Sequence, residues 1–307
     1  MSDRALIIGE ALIDIVERDG TVTGEHVGGS PLNVAVGLGR LDRAVDFLTH
    51  IGRDERGTRI ADYVKASGVQ LVSGSRDAAR TPTALAHLDA TGAATYEFDI
   101  EWALSGTPEA APPIVAHTGS IAAFLSPGCL ATAALLDAYR TSATITYDPN
   151  VRPALIDDHD QAVTRISRLV EKADVVKASD EDLRWIDPDR TPEQIAETWL
   201  ALGPSIVAVT KGGDGSFALC AAGAVAVEAP HVEVVDTVGA GDTFMTGLID
   251  ALWALGLLGA DRRGALAAID TAALEGVIRS ATLAAAVTVT RAGADLPDRA
   301  ALQRFGV

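Results

Sequence analysis

Cysteine is scarce: Cys129 and Cys220 stand far apart in 307 residues, which excludes a disulfide framework. Met1 to Gly9 offers no basic start followed by a long apolar stretch, so no secretory signal is read there. Both cysteines are therefore expected to be small buried hydrophobes in a reducing, cytoplasmic compartment. Basic residues are also few. Against 42 Asp and Glu there are 25 Lys and Arg, a net charge of −17, which repels phosphate backbones and excludes nucleic acid as a partner. Long hydrophobic runs are missing: the most apolar windows, 248–259 and 283–289, are short or interrupted by Asp250, so no membrane span is expected. The six histidines, His26, His50, His87, His117, His159 and His231, lack metal-ligand spacing.

What is present is alternation. Short apolar runs at Ala5–Ile8, 114–117, 144–147, 175–177 and Ile206–Thr210 read as buried strands. Helical patterns lie between and after them at 31–41, 57–67, 130–139, 161–172, Pro192–Leu202, 243–255 and 265–286, with Ser30 as N-cap and Pro31 at the first helical position of the earliest. This order predicts an α/β, Rossmann-like domain: a mostly parallel sheet with helices on both faces. Two early regions, 12–27 and 83–98, are rich in β-branched residues, with turn signals at Asp19-Gly20 and Thr91-Gly92. No helix separates their strands, so they predict a small β-sheet lid on a single domain spanning 1–307. Another hairpin is expected in 215–229, turning near Ala222-Gly223.

One stretch carries chemistry. In DTVGAGDTFMTG, residues 236–247, three small residues precede Asp242 between an expected strand at 232–235 and an expected helix. Gly239, Ala240 and Gly241 let backbone N–H groups approach a ligand, and the helix start adds partial positive charge. That is an anion hole without a basic side chain, and Asp242 would face the same cavity. The ordinary structural alternative is a tight turn followed by a first-turn acid that suits the helix dipole.

Together with GGSPLNVAVGLGRL (28–41) and VTKGGDGS (209–216), this stretch resembles the ribokinase-like (PfkB) family of sugar kinases, in matching order and over essentially the whole chain. The resemblance implies ATP and Mg²⁺ dependence, with Asp242 as catalytic base and the amides of Gly239, Ala240 and Gly241 stabilising the transferring group. Asp14 in GEALID, with Gly28, Gly29 and Asn33, would bind the sugar, and Arg152 in DPNVRP is a further candidate contact. Thr210, Gly212 and Gly215 would line the nucleotide, whereas Lys211 reads as a solvated lysine. The family's N-x-x-E element is altered here to KASDEDL: Ser179 replaces the asparagine, and Asp182 would organise Mg²⁺ through water, with Asp180 and Glu181 as alternatives. The backbone carbonyls of Asp236, Val238, Thr288, Arg291 and Gly293 would hold a monovalent cation such as K⁺.

Within the family, the chain is most similar to bacterial fructokinases, which implies transfer of the γ-phosphoryl group to the 6-hydroxyl of D-fructose. The alternatives are a 2-keto-3-deoxygluconate kinase, if Arg80 or Arg152 meets a substrate carboxylate, or a ribokinase. A catalytically silent sugar- or nucleotide-binding protein is a further alternative, against which Asp242 argues. A dinucleotide dehydrogenase is excluded, because Gly9-Glu10-Ala11-Leu12 lacks the glycine fingerprint. An apolar outer face on the lid would favour a homodimer.

Overall fold

The computed structural model describes residues 3–88, 94–104 and 110–306. The strands in chain order are β1 Ala5–Ile8, β2 Leu12–Arg18, β3 Thr21–Gly28, β4 Val45–Leu48, β5 Val69–Leu71, β6 Thr83–Leu88 and β7 Ala94–Asp99. They continue with β8 Val115–Gly119, β9 Thr144–Asp148, β10 Val175–Ser179, β11 Ile206–Thr210, β12 Ser216–Cys220 and β13 Gly223–Val227.

Nine of them form one sheet, ordered β13-β12-β11-β10-β9-β8-β1-β4-β5. It is parallel from β11 through to β5 and closes on one side with the antiparallel β12–β13 hairpin. Alternate residues of each central strand enter opposite cores, which is why the runs read as continuously apolar. Ile7, Phe47 and Val175 pack with Leu32, Leu248 and Ile278 on one face. Leu6, Ile145 and Val176 pack with Leu136, Ile166 and Trp199 on the other. The chain leaves β1 toward β4 and later returns to lay β8 on the opposite side of β1. That reversal opens a crevice at the carboxyl ends of β1 and β8, where ligands of such sheets bind.

The smaller sheet is ordered β3-β2-β6-β7. Its first hairpin turns at Asp19 and Gly20, both with positive φ, as the Asp-Gly signal predicts. The Thr91-Gly92 turn lies outside the described residues. Parallel pairing of β2 with β6 joins the two expected hairpins into one unit. An ion pair ties this sheet to helix Glu55–Ala66, Glu25 on β3 with Arg56 at 2.5 Å, while Asp99 on β7 pairs at 2.5 Å with Arg80, in the loop that leads into β6.

Three expectations need correction. Residues 232–235 form no strand. Val234 and Val235 are exposed, and the N–H groups of Val235 and Asp236 donate to Val289 O, filling an otherwise unpaired carbonyl at a helix end. The single helix expected at 265–286 is two, Arg263–Ala267 and Thr271–Val289, because Asp270 caps the second by accepting from Ala273 N–H. That second helix is long and apolar enough, by length and composition, to cross a membrane. Its apolar side chains Leu274, Val277 and Ile278 lie in the core, and a Cβ on Gly247 would come within 2.9 Å of Ala281 Cα, so the helix packs tightly on Ala240–Ala254. Finally, Ser30 is not a cap. Gly29 occupies the N-cap position of helix Ser30–Arg40, and the Ser30 hydroxyl is engaged elsewhere.

Candidate active site

Helix Ala240–Ala254 starts at Gly239, whose φ of 80° is the left-handed conformation that glycine adopts without strain. A Cβ there would also press within 2.7 Å of the Ala294 side chain. Ala240 N–H donates to Thr237 O at 3.2 Å, so the turn itself already uses one of the three amides expected in the anion hole. Asp242 sits in the first turn and is buried.

Its carboxylate is fixed by the other motif. Ser30 Oγ donates to Asp242 Oδ1 at 2.6 Å, and Asn33 Nδ2 donates to Oδ2 at 2.7 Å. The approach depends on Gly37: a Cβ there would lie 2.6 Å from Thr246 Oγ1, so a glycine lets helix Ser30–Arg40 close on Ala240–Ala254. Asn33 Oδ1 remains buried without a hydrogen-bond partner, an acceptor beside the carboxylate. The motifs at 28–41 and 236–247 thus form one site.

The remaining expected sugar-site residues border it. Asp14 lies on β2 opposite His26, and Gly28 faces it so closely that a Cβ would come 2.0 Å from Asp14 Oδ2. Burial pushes the Asp14 carboxyl up to about 6, against the pull of His26 and Arg152. Arg152 is exposed and donates to Asn150 Oδ1 at 2.7 Å; its charge acts on both Asp14 and Glu10.

Glu10, which the motifs did not single out, is buried just past the end of β1. Its Oε2 accepts from Ala122 N–H at 3.2 Å, and burial pushes its carboxyl up to about 7 despite hydrogen bonds from Ser120 and Ala122 and the charge of Arg152.

A second unforeseen group lies beneath the helix start. Lys177 of β10 is buried and pairs with buried Asp148 of β9 at 2.8 Å. Burial pushes Asp148 up to about 6, with Lys177 pulling the other way and Asp182 and Asp242 adding to the rise. Burial also works against the Lys177 charge but is outweighed by Asp148, Asp182 and Asp242, so the ammonium is held more firmly than usual. The signal available in the sequence was a lysine inside an otherwise apolar strand, VVKAS. His117 on β8 is buried too, its Nδ1 3.0 Å from Thr146 Oγ1 and its Nε2 unpartnered. Burial first, and then the charge of Lys177, pull its pKa down to about 3, so it is neutral.

Asp182 is taken up by its surroundings. Oδ2 accepts from Ser179 N–H and Oγ, a reciprocal helix cap, and Oδ1 accepts from Val151 N–H at 2.7 Å. Each oxygen thus already accepts from the protein, Oδ2 twice and Oδ1 once. Asp180 pairs with Arg184. Among the described residues no group of three or more His, Cys, Asp and Glu is placed to hold a metal. Such a donor set suits a Mg²⁺ that arrives with phosphate and water ligands, not one held in a protein cage.

Thr210 ends β11, and a 3₁₀ turn, Gly212–Asp214, follows it. Gly212, with a φ of 54°, borders open space. Gly215 has a different reason to be glycine: a Cβ would lie 2.2 Å from Val227 O of the neighbouring strand.

The expected cation segments do meet. Asp236 Oδ1 accepts from Val238 N–H and Oδ2 from Gly293 N–H at 2.8 Å, which holds that carboxyl below its usual range. The Thr288 carbonyl already accepts from Arg291 N–H. The Gly293 carbonyl likewise accepts from Asp295 N–H, so the segments carrying Asp236, Val238, Thr288, Arg291 and Gly293 meet beside the GAGD turn through the Asp236 side chain.

A family model described as pfkB family carbohydrate kinase matches residues 2–301. A fructokinase from Rhizobium leguminosarum bv. trifolii is 37% identical over 259 residues, covering 80% of this chain and 79% of that one. A fructokinase from Escherichia coli is 30% identical over 314 residues, covering 99% of each. Among solved structures, a Vibrio cholerae O395 fructokinase with fructose, ADP and calcium bound superposes with a TM-score of 0.78 at 24% identity, covering 99% of this chain and 98% of that one. An ATP-bound fructokinase from Xylella fastidiosa superposes with a TM-score of 0.81 at 22% identity, covering 98% and 97%.

Proposed function

For this chain, which belongs to the pfkB family of carbohydrate kinases, we propose the reaction of a fructokinase: transfer of the γ-phosphoryl group of ATP to the 6-hydroxyl of D-fructose. One observation carries this reading. Asp242, at the start of Ala240–Ala254, has both carboxylate oxygens fixed by Ser30 and Asn33 of the expected sugar motif. A carboxylate so oriented accepts the hydroxyl proton as the sugar oxygen forms its bond to phosphorus. The bond from phosphorus to the β,γ-bridging oxygen breaks, and its electron pair leaves with ADP.

The free amides of the GAGD turn receive charge from the transferring group. Asp182 would hold, through water, a Mg²⁺ arriving with the nucleotide, which would supply charge neutralisation at the phosphates. K⁺ is proposed for the backbone carbonyls of Asp236, Val238, Thr288, Arg291 and Gly293, whose segments meet beside the GAGD turn. Thr210 and Gly212 form the nucleotide's ledge. The β3-β2-β6-β7 sheet acts as a lid that keeps water from accepting the phosphoryl group.

Fructose is favoured over 2-keto-3-deoxygluconate by the charge around Arg152. Asp14 and Glu10 lie near enough to feel that guanidinium, and acid side chains beside the sugar motif make a poor seat for a substrate carboxylate. The names of the curated relatives at 30–37% identity support the same choice.

The test is a panel of fructose, 2-keto-3-deoxygluconate and ribose with MgATP, followed by product identification. Fructose 6-phosphate is the expected product. Asp242→Asn is expected to lower kcat by ~10³-fold or more while sugar and nucleotide still bind. Undiminished turnover in that variant would remove Asp242 from the mechanism.

A further inference from the structure

We propose that Lys177, oriented by Asp148, contacts the transferring phosphoryl group from beneath the first turn of Ala240–Ala254; this rests on the sugar-kinase reading above. Lys177 Nζ lies so near that turn that a Cβ on Gly241 would be 3.0 Å from it. The amino end of a helix carries partial positive charge. An ammonium beside it has the wrong sign for the resting protein, whereas an anion in the turn would find the two together complementary. Nor is Lys177 a surface side chain that strays there, since both it and Asp148 are buried.

The charges around it fit a group that changes partners. Asp148 Oδ2 holds Lys177 at 2.8 Å, and the other oxygen, Oδ1, accepts from Asn150 N–H at 3.2 Å, so the acid is fixed from both sides. Asp182 and Asp242 also act on Lys177, and the buried His117 beside it is neutral, while buried Tyr147, next to Asp148, has its phenol pushed up by burial and so is neutral too. In the reaction, negative charge grows on the β,γ-bridging oxygen as its bond to phosphorus breaks and the electron pair departs with ADP. Lys177 offsets that charge without giving up a proton. Asp148 touches no reacting atom and is a positioning residue.

The pair makes a clean test, because removing both charges leaves neither one buried alone. The full-length protein is compared with Lys177→Met, Asp148→Asn and the double variant, using fructose kinetics and calorimetric titration with MgATP. Expected for Lys177→Met and for the double variant is a kcat lower by ~100-fold, with the fructose KM within about threefold of wild type. Because the two residues act as one unit, the double variant is expected to be no worse than Lys177→Met. Wild-type kcat in a folded double variant would make the pair a packing feature and overturn the proposal. If the wild-type protein binds MgATP yet phosphorylates no sugar, the kinase reading fails on its own. The titration then decides for Lys177: affinity about tenfold weaker in the double variant supports it, and equal affinity overturns it.

Discussion

Asn33 donates its side-chain amide to Asp242 Oδ2 at 2.7 Å, across 209 positions of sequence. The same asparagine keeps an unpartnered, buried Oδ1. In the reaction proposed above, one side chain would orient the base and offer an acceptor to the sugar. Removing it should affect both functions. Asn33→Ala is expected to lower kcat by ~10- to 100-fold, the usual worth of a hydrogen bond to a charged group, and to raise the sugar KM. Ser30→Ala, which removes only a donor to Asp242, should lower kcat by about tenfold with little change in KM. Steady-state kinetics with fructose separates the two, and equal KM effects would contradict the assignment.

Gly28 and Gly29 make a second, steric prediction. Gly28→Ala would put a Cβ 2.0 Å from Asp14 Oδ2. The carboxylate must move, so the sugar KM should rise by at least about tenfold while the melting temperature changes little. Gly29 has a φ of 117°, and a Cβ there would meet Glu10 O at 2.6 Å. Gly29→Ala is therefore expected to destabilise the fold itself, by ~1–3 kcal/mol, read by denaturant titration.

Glu10 predicts a pH dependence of stability. Its folded carboxyl is raised from 4.5 to about 7, so folding favours its protonated form. The folded state binds more protons than the unfolded state between these values, and the Glu10 contribution to stability falls as pH rises across that window. Above about pH 7 it is flat. The span corresponds to a loss on the order of 3 kcal/mol. Glu10→Gln should remove this slope and gain stability relative to wild type at pH 8 but not at pH 4.5. Denaturation curves at both pH values test it; parallel changes in the two proteins would refute the role of Glu10.

The smaller sheet is tied to helix Glu55–Ala66 by a half-buried ion pair, Glu25–Arg56. Pairs of this kind contribute ~1 kcal/mol or less. Glu25→Gln is expected to leave global stability within that margin, yet to raise the fructose KM several-fold and to increase proteolysis within 12–27. An unchanged KM would mean that this latch plays no part in holding the lid.

Much of the molecule could be read along the chain. The order of strands and helices follows from periodicity, since each buried parallel strand must be apolar on both faces. Ala5–Ile8, Ile206–Thr210 and Pro192–Leu202 have the bounds that pattern implies. The failures have local causes. Residues 232–235 alternate like a strand, but their backbone N–H groups serve the carbonyl of Val289, a demand that no periodicity reveals. Ser30 has the composition of a cap, but Asp242, 212 positions away, claims its hydroxyl.

The linear sequence by itself determined the fold class and the residue types of the GAGD and GGSPLN motifs, because backbone conformation and burial periodicity are local properties. Only the tertiary structure decided which acid is oriented by a distant helix, which has its second oxygen taken by a remote backbone N–H and which is pushed upward by burial. Asp242, Asp182 and Glu10 are all single carboxylates in the chain. Their different states come from neighbours that strand order and helix packing bring together, and from the loss of water that this packing enforces.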